Sequence, residues 1–248
     1  MKINNNVILI TGGATGIGFA IAKQLCKDNT IIVCGRRDNK LIAAKKELPN
    51  IYTKRCDITD AKERNELLTY IKDTFKGLDI LINNAGVQKS IDFSIESNEF
   101  AKNDIEIDIN FRAQVHMIST FMPLLMRSNN PSIINVSSGL AFVPLSAFPI
   151  YCATKAALHS FSLSLRHQLH NTKIKVFEVI PPYVYDTELK GETILKERPA
   201  FGMSSDEFTK IVINDLLNDK YEISTGGDND ISKVLKDDFY KHFDRMNR

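Results

Sequence analysis

Apolar residues along the chain fall into two patterns. Short β-rich runs occur at Val7 to Thr11, Ile31 to Cys34, Ile51 to Cys56, Leu78 to Ile82, Ile133 to Val136 and Lys173 to Ile180. Between them lie stretches at helical spacing, such as Ile17-Ala20-Ile21-Leu25, Leu41-Ala44-Leu48 and Leu67-Leu68-Ile71-Phe75. The first pattern reads as strands, the second as one face of a helix. Strands that are apolar throughout, rather than at every second residue, are expected where helices cover both faces of a sheet. The alternation therefore predicts an α/β fold: a doubly wound parallel sheet in a three-layer α/β/α arrangement. No repeat, low-complexity tract or linker interrupts it, so residues 1–248 are read as one domain. A flavodoxin-like sheet would show the same alternation, and the pattern alone does not name a ligand.

Composition narrows the class. A chain of 248 residues with 43% apolar content can bury a sizeable core in a single α/β unit. A net charge of +2 is too small to point to nucleic acid or an acidic membrane surface. Cys26, Cys34, Cys56 and Cys152 lack CxxC spacing, and three of them sit in or beside apolar runs. Buried free thiols in a reducing cytoplasm are expected. Val7 to Ile10 is too short for a signal peptide or a membrane span, and no other run reaches spanning length. A cytoplasmic protein without membrane or nucleic-acid partners is the expectation. No His/Cys/Asp spacing suggests a metal.

The candidate chemistry lies at strand ends. Thr11-Gly12-Gly13-Ala14-Thr15-Gly16-Ile17-Gly18 joins the first strand to the first helix. Gly12 permits a sharp turn, Gly16 lets backbone N–H groups approach a pyrophosphate, and Gly18 lets the helix pack close to the strand. The helix N-terminus then presents partial positive charge to phosphates. After the second strand comes Gly35-Arg36-Arg37-Asp38. An NAD site of this kind calls for an acidic residue on the ribose 2′-OH. Two arginines instead favour a 2′-phosphate, hence NADP over NAD. Solvated arginines are the plain alternative, and Asp38 reads as a helix N-cap. Asp57-Ile58 ends the third strand, where the carboxylate either accepts from an adenine amino group or caps a helix. Asn83-Asn84-Ala85-Gly86 offers amides to tie strand ends, with room beside Ala85 and Gly86 for a ribose or nicotinamide. Asn110 interrupts a helical pattern that continues through Val115, Ile118, Phe121 and Leu125. It is either a surface residue or one with a local task such as holding a water. Ser138 ends the fifth strand at the sheet edge where such folds bind ligands. Tyr151 and Lys155 stand four apart at the start of a helix and so share a face. A free phenol titrates near pH ~10, and a neighbouring ammonium is expected to lower that.

Taken together, these residues resemble the short-chain dehydrogenase/reductase family along nearly the whole chain. Finer features resemble its DltE-type bacterial oxidoreductases: Asn84-Ala85-Gly86-Val87-Gln88-Lys89, Ser138-Gly139-Leu140-Ala141-Phe142 and the helix from Tyr151 to Leu169. The resemblance implies a Rossmann-type domain that interconverts an alcohol and its ketone or aldehyde by hydride transfer with NADP, or alternatively NAD. It implies Tyr151 as general acid/base, Lys155 lowering the Tyr151 pKa, Ser138 on the substrate oxygen, and Asn110 holding a water of a proton relay. The implied cofactor contacts are Gly12, Thr15, Gly16, Ile17, Gly18, Arg36, Arg37, Asp57, Ile58, Asn84, Ala85, Gly86, Tyr151, Lys155, Val184 and Thr187. The rival reading is a weakly catalytic nicotinamide-binding sensor or scaffold. Its expected signature, loss of a catalytic member, is missing here.

Two stretches depart from the family pattern. Pro182 stands where the family has Gly, and Thr187 follows one residue later than usual. A Gly-rich closing segment is not evident. Instead, Tyr221 to Ser224 reads as a last strand and residues 226–248 as a helical extension, with a charged helix from Ile231 to His242. Residues 183–202 read as a substrate loop or lid. With Leu140, Phe142 and Phe148 it would line a mainly apolar pocket for a small substrate. Phe111, Met117 and Phe121 on one helix, and Leu158, Phe161 and Leu165 on the next, read as outer faces meeting across a homodimer or homotetramer. The alternative is that they belong to the core.

Overall fold

Seven parallel strands lie in the order β3-β2-β1-β4-β5-β6-β7 in the computed structural model, which describes residues 1–94, 105–189, 202–225 and 245. They are β1 Val7–Thr11, β2 Thr30–Gly35, β3 Tyr52–Arg55, β4 Ile80–Asn83, β5 Ser132–Val136, β6 Lys175–Val179 and β7 Glu222–Ile223. The six longer runs seen in the sequence are all strands, with ends moved by a residue or two, and the short β7 is the expected last strand. The strand order reverses between β1 and β4, which opens a crevice at their C-terminal ends.

The middles of the central strands β1, β2, β4, β5 and β6 are apolar because both sheet faces are covered there, whereas the edge strand β3 (Tyr52–Arg55) is polar and partly exposed. On one face, Ile8, Ile10, Ile31, Val33, Ile82, Phe177 and Val179 pack against α1 (Gly16–Leu25), α2 (Asp38–Glu47) and the last described helix, Ser205–Leu217. On the other, Leu9, Ile32, Leu81, Ile133 and Val176 pack against α3 (Ala61–Phe75), α4 (Ala113–Leu125) and α5 (Pro149–Gln168). The Ser205–Leu217 helix is α6. Neighbouring residues of one strand thus serve opposite cores.

Local signals set the helix ends. Asp60 caps α3 by accepting the Glu63 N–H at 2.9 Å, and Ser204 with Glu207 forms a reciprocal capping box on α6. Pro149 starts α5, where its missing N–H costs nothing. One expectation shifts here. Asp38 is not the cap of α2 but its first helical residue, and Arg37 occupies the capping position without a side-chain bond to the helix.

The expected outer faces need a larger correction. Met117, Phe121 and Leu158 are fully buried and Leu165 nearly so. Met117, Phe121 and Leu165 belong to the core between α3, α4, α5 and the sheet. Only Phe111 and Phe161 remain half-buried, in an edge-to-face contact at 6.2 Å. Periodicity shows that a helix has an apolar stripe, and here the stripe of each helix turns to its own sheet. Residues 190–201 of the expected lid, and the expected Ile231 to His242 helix, lie outside the described residues.

Phe121→Ala is expected to cost about 3–5 kcal/mol, as for a large buried aromatic. Denaturant unfolding at two well-separated protein concentrations checks this. The offset from wild type should be the same at both, because the lost contacts lie within one chain.

Candidate active site

The C-terminal ends of β1, β4 and β5 are stitched together by side chains. Thr11 Oγ1 accepts the backbone N–H groups of Asn84 and Ala85, both at 3.0 Å. Asn84 Nδ2 donates back to the Thr11 and Gly12 carbonyls at 3.0 and 3.2 Å. Asn83 Nδ2 donates to Asn135 Oδ1 at 3.0 Å, and Asn135 Nδ2 to Ser162 Oγ of α5 at 2.9 Å. Gln114 Nε2 of α4 holds the Ala85 carbonyl at 2.9 Å. Asn83, Gln114 and Asn135 are buried and Asn84 partly so; each of their side-chain nitrogens donates, while Asn83 Oδ1 and Gln114 Oε1 have no partner among the described residues. The tie expected of Asn83 and Asn84 is therefore real, but Thr11, Gln114, Asn135 and Ser162 share it. Their types are common, and only the fold brings them together.

The glycine turn is shaped for close approach. Gly12 has φ +62° and Gly16 φ +55°, the left-handed region that favours glycine. A Cβ at Gly12 would stand 2.9 Å from Ala85 Cα, and one at Gly18 would stand 2.8 Å from the Gly12 carbonyl oxygen. Thr15 is the N-cap residue of α1 but makes no side-chain bond to it, and no acidic side chain lies in the first turn. The helix thus meets the crevice with its N–H groups uncapped by its own side chains. Ile17, on the first turn, packs against the α1-side core.

Tyr151, Lys155 and Ser138 converge at this mouth. Both residues of α5 are buried, at 4% and 2% exposure. Lys155 Nζ donates to the Val136 carbonyl at the end of β5 at 2.8 Å and lies 5.7 Å from the centre of the Tyr151 ring. Ser138 hydrogen-bonds Tyr151, and its Oγ accepts the Leu140 N–H at 3.1 Å. A Cβ at Gly86 would stand 3.4 Å from Asn110 Oδ1 and 3.6 Å from Lys155 Nζ, which puts the end of β4 beside both.

The protonation picture reverses one expectation. Burial raises the Tyr151 pKa above its ordinary value, and the bond from Ser138 only partly offsets that. The nearby ammonium does not win, because dry surroundings penalise a phenolate more. Burial likewise pushes Lys155 down to about 8, opposed by the negative charge of Glu178. Glu178 is fully buried on β6 and pairs with His159 Nδ1 of α5 at 2.8 Å. That bond raises the His159 pKa. Both residues escaped the sequence reading, since neither belongs to a motif.

Asn110 is buried completely, not at the surface. It sits in a π turn, Asp108–Arg112, that precedes α4. Such turns insert an extra residue into a helix and often mark functional sites. Its side chain is committed: Nδ2 donates to the Val87 carbonyl at 2.9 Å and to Thr154 Oγ1 at 3.2 Å, and Oδ1 accepts the Val87 N–H at 2.9 Å. Oδ1 thus accepts one N–H and keeps a second lone pair.

At the other end of the mouth, Arg36 lies 3.9 Å from Asp57. Asp57 itself is engaged locally, accepting the Thr59 N–H and hydroxyl at 2.9 and 2.7 Å. Ile58 is buried, and its carbonyl accepts from Arg64 at 2.7 Å. Arg37 pairs with Glu188 at 2.8 Å. Thr187 donates to the Val184 carbonyl at 3.1 Å, and its methyl would meet a Cβ at Gly16 at 3.2 Å. Val184 is buried in the α1-side core and bridges to Met203. Thr187 therefore does lie against the glycine turn, despite Pro182 and the late spacing.

The pieces fit a nicotinamide dinucleotide on structural grounds: a turn that admits no Cβ at Gly12 and Gly18, an uncapped helix start, and a small Ala85-Gly86 floor beside Lys155. Among the described residues, no cluster of His, Cys, Asp and Glu could hold a metal ion, and no helix is long and apolar enough to cross a membrane. A family model, short chain dehydrogenase, matches residues 6–198. The chain is 43% identical to the uncharacterized oxidoreductase DltE of Bacillus subtilis, over 100% of this chain and 98% of that one. It is 31% identical to the NADP-dependent 3-hydroxy acid dehydrogenase YdfG of Escherichia coli O6:H1, over 75% of each. A short chain dehydrogenase from Burkholderia cenocepacia, solved in complex with NADP, superposes with a TM-score of 0.82 at 25% identity over 99% of both chains.

The buried ammonium generates a stability prediction. A lysine whose folded pKa lies below its unfolded value weakens the fold wherever it must be charged. That cost is fully present below pH about 8 and disappears as pH rises toward the usual 10.5, because there the unfolded chain binds more protons. Lys155→Met is therefore expected to be more stable than wild type at pH 7, by about 1–3 kcal/mol after the lost bond to Val136 is counted. Chemical unfolding across pH 7 to 10 should show the gain shrinking.

Proposed function

Given that the chain belongs to the short-chain dehydrogenase family and is an oxidoreductase with a nicotinamide cofactor, we propose that it uses NADP(H) to interconvert a small, mainly apolar alcohol and its carbonyl compound, with Tyr151 as general acid/base. The observation that carries this reading is the meeting of Ser138, Tyr151 and Lys155 beside the glycine turn and Gly86. In the reductive direction, Tyr151 gives its proton to the carbonyl oxygen. Its raised pKa suits this role, because the phenol stays protonated at neutral pH and acts as an acid. Ser138 hydrogen-bonds the same oxygen, and the Lys155 cation stabilises the phenolate left behind. Asn110, buried beside Val87 and Thr154, is the residue assigned to hold a relay water, since its Oδ1 keeps one lone pair beyond the Val87 N–H. The nicotinamide, when bound, supplies or accepts the hydride, and that chemistry belongs to the cofactor.

The preference for NADP rests on the cations after β2: Arg36, Arg37 and also Lys40 of α2. The NADP named for the E. coli relative agrees with it. The apolar substrate rests on half-buried Leu140, Phe142 and Phe148 near Ser138 and Tyr151. Four free cysteines, three of them buried, suit a reducing cytoplasm. Assembly into a homodimer or homotetramer rests on the half-buried Phe111 and Phe161 and the exposed Leu163. Sedimentation at micromolar concentration should give two or four chains per particle, and a monomer would remove this part of the proposal.

Tyr151→Phe keeps the ring and removes the proton. Carbonyl-dependent oxidation of NADPH should fall by at least about 100-fold, the scale of a lost general acid. An unchanged rate would defeat the mechanism, and turnover confined to highly charged substrates would defeat the substrate class.

A further inference from the structure

Glu188 stands just beyond the Thr187 that touches the glycine turn. Its side chain is only 7% exposed and reaches across the mouth to α2. One oxygen lies 2.8 Å from Arg37 Nη1, the other 2.7 Å from Lys40 Nζ. Burial works against its ionisation, but the bonds from Lys40 and Arg37 outweigh this and hold the carboxyl below its ordinary value. A carboxylate thus sits at the N-terminal end of α2, where helix polarity and two side-chain cations make an anion seat. This seat follows β2, the strand whose end governs the ribose 2′-position in doubly wound folds. Arg36 is set apart from it, 3.9 Å from Asp57.

We propose that Glu188 is a cofactor-specificity residue: an internal anion that occupies the Arg37–Lys40 seat and must be displaced by the 2′-phosphate of NADP, but not by NAD. This rests on the oxidoreductase reading above and adds a determinant to it. Arg37 and Lys40 draw a 2′-phosphate in. Glu188 offsets that attraction by neutralising the same two cations first. The net preference is then a difference between two competing anions rather than the sum of the positive charges. The displacement also has a structural reach. Glu188 lies between Thr187, which packs on Gly16, and Leu189, whose carbonyl accepts the Gln88 N–H at 3.2 Å and whose side chain lies near Gly86. Moving the carboxylate therefore pulls on a strap that spans the mouth from the α2 end to the β4 end.

The test is calorimetric titration of the protein with NADPH and, separately, NADH, without substrate. Glu188→Gln keeps the shape and removes the charge. Two partly exposed ion pairs carry roughly a factor of five in binding. NADPH should therefore bind Glu188→Gln about fivefold tighter than wild type, with NADH changed by less than about twofold. Adding Arg37→Gln to Glu188→Gln should abolish the gain. An unchanged or weaker NADPH affinity in Glu188→Gln overturns the proposal, as does an equal gain for NADH or a gain that survives in the double variant. If wild type binds NADPH and the variant matches it, this inference alone fails. If wild type binds neither dinucleotide, the oxidoreductase reading fails and takes the inference with it.

Discussion

A buried ammonium holds the site together. Lys155 Nζ has given up water for one carbonyl, that of Val136 at the end of β5. A single hydrogen bond leaves the buried charge undercompensated, and burial accordingly lowers its pKa. The fold tolerates it because of what surrounds it. Glu178, buried on the adjacent strand, supplies opposing charge, and Pro149 starts α5 so that Tyr151 and Lys155 face the same mouth. The same burial that weakens the ammonium keeps the Tyr151 phenol protonated. One desolvated pocket thus sets both groups, in opposite senses of charge.

Around this point the architecture is mostly a matter of ending strands in register. Asn83 stands opposite Asn135, and Asn135 opposite Glu178. A row of polar side chains therefore crosses β4, β5 and β6 near the mouth, beyond the apolar middles of those strands. Their bonds run sideways between strands and down to α5, through Ser162 and His159. Such a row specifies one arrangement where its bonds are made and costs stability where they are not, as at Asn83 Oδ1 and Glu178 Oε1, which have no partner among the described residues. It links the end of β4, which leads into Ala85 and Gly86, to α5, which carries Tyr151 and Lys155.

The two ends of the mouth are governed by different physics. Near Tyr151 the groups are dry, and burial decides their state. Near Arg37 the cations are partly exposed and screened by solvent, and the anion they meet is Glu188. Thr187 and Glu188 link the two ends along a few residues of chain.

Much of this protein is local and was legible before any coordinates. Six apolar runs, the helical spacing between them, the glycines after β1 and the four-residue offset of Tyr151 and Lys155 depend only on backbone period and short-range sterics. Those features carried the doubly wound sheet, the phosphate turn and the pairing of two residues on one face. Other features depend on what stands opposite, and no period records that. Phe121 belongs to its own core rather than an outer surface because α4 turns its stripe to the sheet. Asn110 spends its amide on Val87, and Tyr151 is raised rather than lowered because it is dry. Glu188 meets Arg37 across 151 residues of sequence. The sequence by itself determined which elements form and which side chains share a face. Only tertiary structure decided which of them lose their water and which charge each one meets, because desolvation and long-range pairing are properties of neighbours, not of residues.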